Sequence, residues 1–386
     1  TCAILDNGDL KCWGADNKGQ LGNGAATGNV LAPSSTPIAL GAGRTAVAVS
    51  AGAYHTCAIL DNGDLKCWGH DDNGQLGDGG TNTDTNAPSS TAINLGTGRT
   101  AVAVSAGNYH TCATLDNGEA KCWGRGNEGQ LGDGGTNTNQ GSPVAVSGGN
   151  TWDSSTGLSS GSGGGSGSAT QSNFTASIEG ADLIIDEPMT NITFQYNASA
   201  ASGSGSGSGG GSSTTSSFAY ANDKVSTGYY HTCAILDNGD LKCWGWDGYG
   251  QLGDGGSNTD LNAPSSTAVD LGTGRTAVAV SAGDYHTCAI LDNGDMKCWG
   301  VDNSGQLGDG GSNTNTNAPS STAINLGTGR TAVAISAGEE HTCAILDNGD
   351  MKCWGRDHIG QLGDGGSNTD QGSPVSLSGS NTWDSS

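Results

Sequence analysis

The chain is short of most of what a conventional globular core is built from. Aromatic residues fill only 5% of its 386 positions, and there are only 3 Phe and 3 Met. A thick core of large side chains is therefore excluded, and burial has to come from small faces packed on one another, as in repeat architectures. Positive charge is scarce as well: 14 Lys and Arg stand against 38 Asp and Glu, a net charge of −24. Such a surface repels phosphate backbones, which argues against nucleic acid as a partner. No apolar run reaches the roughly 18 residues a membrane helix needs, so no membrane span is expected in this chain. No signal peptide is visible, and a chain that starts at Thr1 without methionine leaves room for targeting elements upstream. There is no nucleophile elbow, no Gly-rich phosphate loop before a helix and no His-x-x-x-His, so nothing points to an enzyme.

What the chain has in abundance is glycine, 69 residues, and cysteine, 12 residues, laid out in a repeat. Cys-Trp-Gly recurs at residues 12–14, 67–69, 122–124, 243–245, 298–300 and 353–355, and within each group of three the period is 55 residues. One full unit runs from Thr276 through the alternating Val278 and Val280 to Gly283, then through His286-Thr-Cys-Ala-Ile-Leu291 and the turn Asp292-Asn-Gly-Asp295. Met296-Lys-Cys-Trp-Gly300, a Gly-Gln-Leu-Gly-Asp-Gly segment ending at Gly310, and a polar loop complete it. Three or four short strands with turn chemistry between them make one propeller blade. The expected fold is all-β, a β-propeller of six recognisable blades, with a seventh to be supplied by the insert or by sequence outside this chain.

The turn fixes the register of the cysteines. Asn293-Gly294 is a strong hairpin signal. A three-residue loop of Asp292, Asn293 and Gly294 puts Leu291 opposite Asp295, and counting back puts Cys288 opposite Cys298. The same count pairs Cys2 with Cys12, Cys57 with Cys67, Cys112 with Cys122, Cys233 with Cys243, and Cys343 with Cys353, leaving none over. Directly opposed positions have the separation a disulfide tolerates. Each bridge stabilises by roughly 2–3 kcal/mol on the chain-entropy account. Metal sites are the rival reading, but two thiolates ten apart lack Cys-x-x-Cys spacing. Oxidised cysteines imply an extracellular or cell-surface location.

Taken together, Ala282-Gly283-x-x-His286-Thr287, Asp292-x-Gly294, Trp299-Gly300 and Gly305-Gln306-Leu307-Gly308 resemble the repeat of the regulator of chromosome condensation family. The resemblance covers everything except roughly residues 151–217. It implies a propeller, usually of seven blades, in which the Trp-Gly strand and the Gly-Gln-Leu-Gly turn pack between blades. The cysteine pairs depart from the intracellular members. The family's nucleotide exchange on a nuclear GTPase and its chromatin docking do not carry over, because the acidic surface, the oxidised thiols and the lack of a basic tail oppose them.

Repeats three and six differ from the rest in the same way, with Gln-Gly-Ser-Pro at residues 140–143 and 371–374 followed by Asn-Thr-Trp-Asp-Ser-Ser. The chain therefore reads as residues 1–155, blades 1–3, and 218–386, blades 4–6, separated by 156–217. The start inside a hairpin suggests a fragment of a longer array. The separating segment has Gly/Ser-rich linkers around a short β insert, about residues 172–199, expected to form a small hairpin. All three Asn-x-Ser/Thr sequons, at Asn173, Asn191 and Asn197, fall there. Their clustering suggests a glycosylated stalk, with coincidence in a Ser/Thr-rich stretch as the alternative.

His55, His110, His231, His286 and His341 precede the first cysteine of each pair, and a ring would set them too far apart to share an ion. Bonding between strands or blades is the expected role. His70 and His358, after Cys-Trp-Gly, are expected to be exposed. The loop holding Asp254, Asn258 and Asp260 spaces oxygens as calcium allows, without the bidentate Glu of an EF-hand; solvated turns are the default. No cofactor is otherwise indicated.

Positions that vary on a copied scaffold are where recognition belongs. Here they are Ala15, His70, Arg125, Trp246, Val301 and Arg356, in one equivalent rim loop. The expected function is a non-enzymatic extracellular or cell-surface module that binds a protein or glycan, and secreted members of the resembling family include protein inhibitors. A passive spacer in a large repetitive surface protein is the alternative.

Overall fold

In a computed structural model, residues 1–152 and 224–378 are described, apart from 27, 81–82, 136, 257, 312–313 and 367. The expected hairpin at about 172–199 and the three sequons lie outside the described residues.

The Asp-Asn-Gly turn organises each blade. In blade 5, Gly294 adopts φ +80 and donates its N–H to Leu291 O at 2.8 Å, while Leu291 N donates to Asp295 O at 2.9 Å. That closes the three-residue loop, and the register that follows sets Cys288 against Cys298. All six pairs are opposed in this way and joined as disulfides, with Cα–Cα separations of 4.0–4.1 Å.

Six antiparallel sheets result among the described residues, one per repeat. Blade 5 is typical, with strands Ala277–Ala282, His286–Leu291 and Met296–Gly300. A bulge at Val278 separates the Ala277–Leu291 and Ala279–Ile290 pairs. The Gln-Gly-Ser-Pro variants have a structural consequence: strands Gln140–Ala145 and Gln371–Ser376 make blades 3 and 6 four-stranded. Blades 1, 2, 4 and 5 have only an isolated bridge at that edge, such as Gly300 to Thr316.

The core lies between blades rather than inside one. Five clusters of buried side chains correspond to the five successive blade junctions; the one joining blades 5 and 6 holds Cys288, Ile290, Met296, Leu307, Leu346 and Trp354. Each junction repeats the tryptophan and threonine bonds to one glutamine carbonyl, and four of the five add a histidine. At blades 5 and 6, Trp354 Nε1 donates to Gln306 O at 2.9 Å, and Thr342 Oγ1 donates to the same carbonyl at 3.0 Å. His286 Nε2 stands 2.9 Å from Thr342 Oγ1. Because the threonine proton is committed to the carbonyl, the imidazole must donate from Nε2; Nδ1 is buried without a hydrogen-bond partner among the described residues, which keeps the ring neutral with Nδ1 unprotonated. Burial drives the pKa of His286 down to about 3. The same histidine bond occurs at His55, His110 and His231, so these residues do bond between blades. Gly308, at φ +69, lies flat against the Trp354 indole, where a Cβ would collide with the ring nitrogen.

The junction between blades 3 and 4 is built from two stretches of chain. Trp152, which the repeat boundaries group with blades 1–3, pairs with Leu236 of blade 4. Lys224 O then accepts from Ile235 N at 2.9 Å, and Val225 pairs with Ala234. By register Trp152 takes the place of Ala277 and Lys224 that of Ala279. The sheet is thus interrupted between Trp152 and Lys224, where other blades have a single bulged valine.

Candidate functional site

On the face where the histidine strands begin, two sets of variable positions meet. The residue after Cys-Trp-Gly donates its backbone N–H to the carbonyl of the residue before His. This bond runs from His70 to Tyr54, Arg125 to Tyr109, Trp246 to Tyr230, Val301 to Tyr285 and Arg356 to Glu340, each at 2.9 Å. Each blade therefore presents a pair of side chains from loops 16 residues apart.

In blades 2 to 5 these side chains form an aromatic belt. Ring centroids are 5.8 Å apart for Tyr54 and Tyr109, 5.7 Å for Tyr109 and Tyr229, and 5.6 Å for Tyr229 and Tyr285. Trp246 meets Tyr249 at 5.1 Å, Tyr285 at 5.7 Å and Tyr230 at 6.1 Å, in each case edge to face. The Trp246 indole folds over Gly248, where any Cβ would strike it. The equivalent positions of the other blades are Asn17, Asp72, Asn127, Asn303 and His358, so the glycine occurs only beside the tryptophan. The Arg125 guanidinium lies over Tyr230 at 4.5 Å and Tyr109 at 5.8 Å, a partly exposed cation–π arrangement that also brings it 3.9 Å from Glu128. Tyr54 and Tyr249 remain 37% and 40% exposed, so the belt is open to solvent at its rim.

Blade 6 replaces the aromatic pair by Glu339 and Glu340, and Arg356 is salt-bridged to Glu340. Asp284 of blade 5 is buried beside them. Burial first, then the Glu339 carboxylate and, less, that of Glu340, raise its pKa to about 7, while the Asn108 amide from blade 3 partly offsets this.

The six rim positions thus divide. Arg125 and Trp246 join the belt, and Arg356 is held by Glu340. Ala15 is exposed but has no aromatic neighbour, and Val301 is buried at 4% exposure. His70, expected to be exposed, is buried at 6%. Two carboxylates account for that: Asp84 Oδ1 lies 2.9 Å from Nδ1 and Asp72 Oδ2 3.4 Å from Nε2, while Lys18 pairs with the other oxygen of Asp84 at 3.2 Å. His358 is exposed as expected. Among the calcium candidates, Asp254 Oδ1 accepts from Gly256 N at 2.7 Å and Asp260 Oδ1 from Asp247 N at 3.0 Å. Asn258 sits at φ +52. These are the usual occupations of turn residues. Sequence reasoning missed Tyr54, Tyr109, Tyr229, Tyr230, Tyr249 and Tyr285. The signal was there in the dipeptide between Ala-Gly and His-Thr, which changes in every repeat.

Blades of one repeated hairpin, latched through tryptophan and glycine, with variable loops gathered on one face, define a repeat β-propeller. The regulator of chromosome condensation (RCC1) repeat matches residues 7–59, 62–114, 238–290 and 293–345. A second form of that repeat matches 46–75, 101–130, 223–251, 277–306 and 332–361. The chain belongs to the RCC1 repeat family. It is similar to the ultraviolet-B receptor UVR8 of Arabidopsis thaliana, 28% identical over 372 residues, or 94% of this chain and 76% of that protein. It is 32% identical over 140 residues to the human probable E3 ubiquitin-protein ligase HERC3, covering 36% of this chain and only 13% of HERC3. Among solved structures, human WBSCR16 shares the fold with a TM-score of 0.67 at 20% identity, over 97% of this chain and 78% of the other. Yeast Prp20p, whose binding properties to Gsp1p and histones are described with its structure, matches with a TM-score of 0.50 at 16% identity, over 96% and 86%.

Proposed function

We propose that this propeller is a non-enzymatic protein-binding module that works outside the cell, and that the aromatic belt is its binding face. The observation that carries the reading is the contact among Tyr229, Tyr230, Trp246, Tyr249 and Tyr285, all at or beside variable positions of an otherwise copied scaffold. Aromatic residues and arginine are the types enriched at the energetic centres of protein interfaces. Protein binding is also consistent with what is described for Prp20p. The extracellular part of the reading rests on the cysteines, all twelve of which are in disulfides, bonds that persist in oxidising compartments.

The test compares the native chain with Trp246→Ala and Arg125→Ala as affinity baits on the culture medium and surface extract of the source cells. A partner captured by the native chain should be weakened at least tenfold by Trp246→Ala, since central aromatic truncations cost about 2 kcal/mol or more. Undiminished capture, with an unchanged melting temperature, would reject the face and favour the passive spacer.

A further inference from the structure

The aromatic belt ends at a carboxylate that has no cation. Asp284 lies between Gly283 and Tyr285 and is only 8% exposed. Its backbone is fixed on both sides: Tyr229 N donates to Asp284 O at 3.3 Å, and Asp284 N donates to Gly338 O at 3.4 Å. Glu339 and Glu340 from blade 6 bring further negative charge to it, and the Asn108 amide from blade 3 bonds to its carboxylate. Among the described residues, no Lys, Arg or His forms an ion pair with Asp284 or Glu339. The two arginines of this face are committed elsewhere, Arg125 over Tyr230 and Arg356 on Glu340.

A buried carboxylate next to another carboxylate is costly unless a positive charge joins it. The neighbouring surface favours the same visitor, because Tyr229 and Tyr285 are only partly buried rings 5.6 Å apart, and the π-faces of such rings attract organic cations. Arg125 already shows a cation settled on this belt. We propose that Asp284 and Glu339, with the rings of Tyr229 and Tyr285, form a receptor for the protonated side chain of a lysine or arginine on a partner protein. An ammonium or guanidinium satisfies both halves of the site at once. A neutral sugar uses only the rings, and a divalent metal uses only the carboxylates. The proposal rests on the belt being a binding face only in where it places the partner.

The site should be pH-dependent. The groups facing Asp284 are Glu339, the arginine-paired Glu340, Asn108 and the hydroxyl of Tyr285, whose ionisation burial pushes upward to about 12. Of these, Asp284 is the group that changes charge near neutrality, with a pKa of about 7. Affinity therefore rises as pH increases through that value and falls below it.

The experiment titrates the whole chain by calorimetry with Ac-Gly-Lys-Gly-NH2, Ac-Gly-Arg-Gly-NH2, the neutral Ac-Gly-Gln-Gly-NH2, and calcium chloride. The cationic peptides should bind and the neutral one should not. Asp284→Asn, close in shape to the native side chain, should weaken binding about tenfold or more. Glu339→Gln, at an exposed position, should weaken it by a smaller factor without touching the fold. Equal binding of the glutamine peptide, no binding of the cationic ones, heat from calcium alone, or unchanged affinity in both variants would each overturn the proposal. If the cationic peptides fail while Trp246→Ala still releases a partner, the cation site falls and the binding face stands. The opposite pattern separates the two the other way.

Discussion

The junction between blades 5 and 6 and the free edges of blades 6 and 1 are drawn from the same repeat, yet they differ in every bond. In the junction, Trp354 is fully buried and shares the Gln306 carbonyl with Thr342, which in turn receives His286. At the edges, the equivalent residues are Trp13, Gln361, Thr1 and His341, and among the described residues none of those hydrogen bonds forms. Trp13 is only partly buried, and Gly363 faces Leu377 instead of an indole. The lesson is that the repeat specifies half of an interface at each end. Its stability belongs to pairs of blades, as in other quasi-one-dimensional folds.

Matched tryptophan variants give the largest test of that contrast. Trp299→Ala, at the sealed junction of blades 4 and 5, should cost about 3–5 kcal/mol, the range for removing a buried aromatic. It also removes one of the two hydrogen bonds to the Gln251 carbonyl, the indole's at 3.0 Å, leaving that from Thr287 Oγ1 at 2.9 Å. Trp13→Ala should cost less than about 1 kcal/mol, as surface-type changes do. Chemical denaturation of the two variants measures both. Equal losses would mean that the edges of blades 6 and 1 are joined in solution.

The latch also explains how much could be read from the sequence. The disulfides, the hairpin register and the packing of Trp-Gly against Gly-Gln-Leu-Gly are local or periodic features, and periodicity repeats the signal six times. The aromatic belt is neither. It is assembled from a dipeptide that differs in every blade and a rim residue 16 positions further along, as with Tyr109 and Arg125, and only the fold brings them together. His70 escaped for a related reason: its burial depends on Asp84, 14 residues away across an irregular loop. The split strand of blade 4 was hidden because Trp152 stands where every other complete blade has alanine, so the repeat boundaries grouped it with blades 1–3.

A smaller effect, distributed over the four sealed histidine junctions, comes from pH. His55, His110, His231 and His286 are held neutral, each with a pKa lowered to about 3 by burial, and His341 is lowered to about 4. An unfolded histidine takes up its proton near pH 6.5. Below that value the unfolded chain binds more protons than the native one, and stability falls with pH down to the folded values. Asp71, Asp247 and Asp302, raised to about 6 by burial, Asp284, raised to about 7, and Asp357, also raised, act in the opposite sense: the native state keeps their protons, which adds stability as pH falls toward 4. Below about pH 4 these carboxylates are protonated in both states, while the histidines still take up protons only on unfolding, so the melting temperature should drop as pH falls from about 4 toward 3. Proton uptake on unfolding in that range is the direct check. A flat or rising melting temperature would contradict the neutral, Nε2-donating imidazoles.

The smallest expected effect lies at the remaining irregular junction, between blades 3 and 4. There the first strand of blade 4 is cut where Val278 forms the bulge in blade 5, and a bulged residue makes no ladder bond of its own. Both cut ends stay in register, Trp152 against Leu236 and Val225 against Ala234. Trp152 is 1% exposed and packs on Trp244 at 5.4 Å, so the strand is anchored on the N-terminal side of the cut. Lys224 anchors the other side through its ammonium, 3.0 Å from Val278 O. Replacing residues 153–223 with a single valine therefore restores the bulge that the other blades have and removes no described contact. The melting temperature should stay within about 2 °C of the native value. Trp152→Ala in the same background should lower it far more, since that change empties the space between the two blades. If the deletion alone destabilises the chain as much as Trp152→Ala does, then the strand is held by more than its two anchored ends.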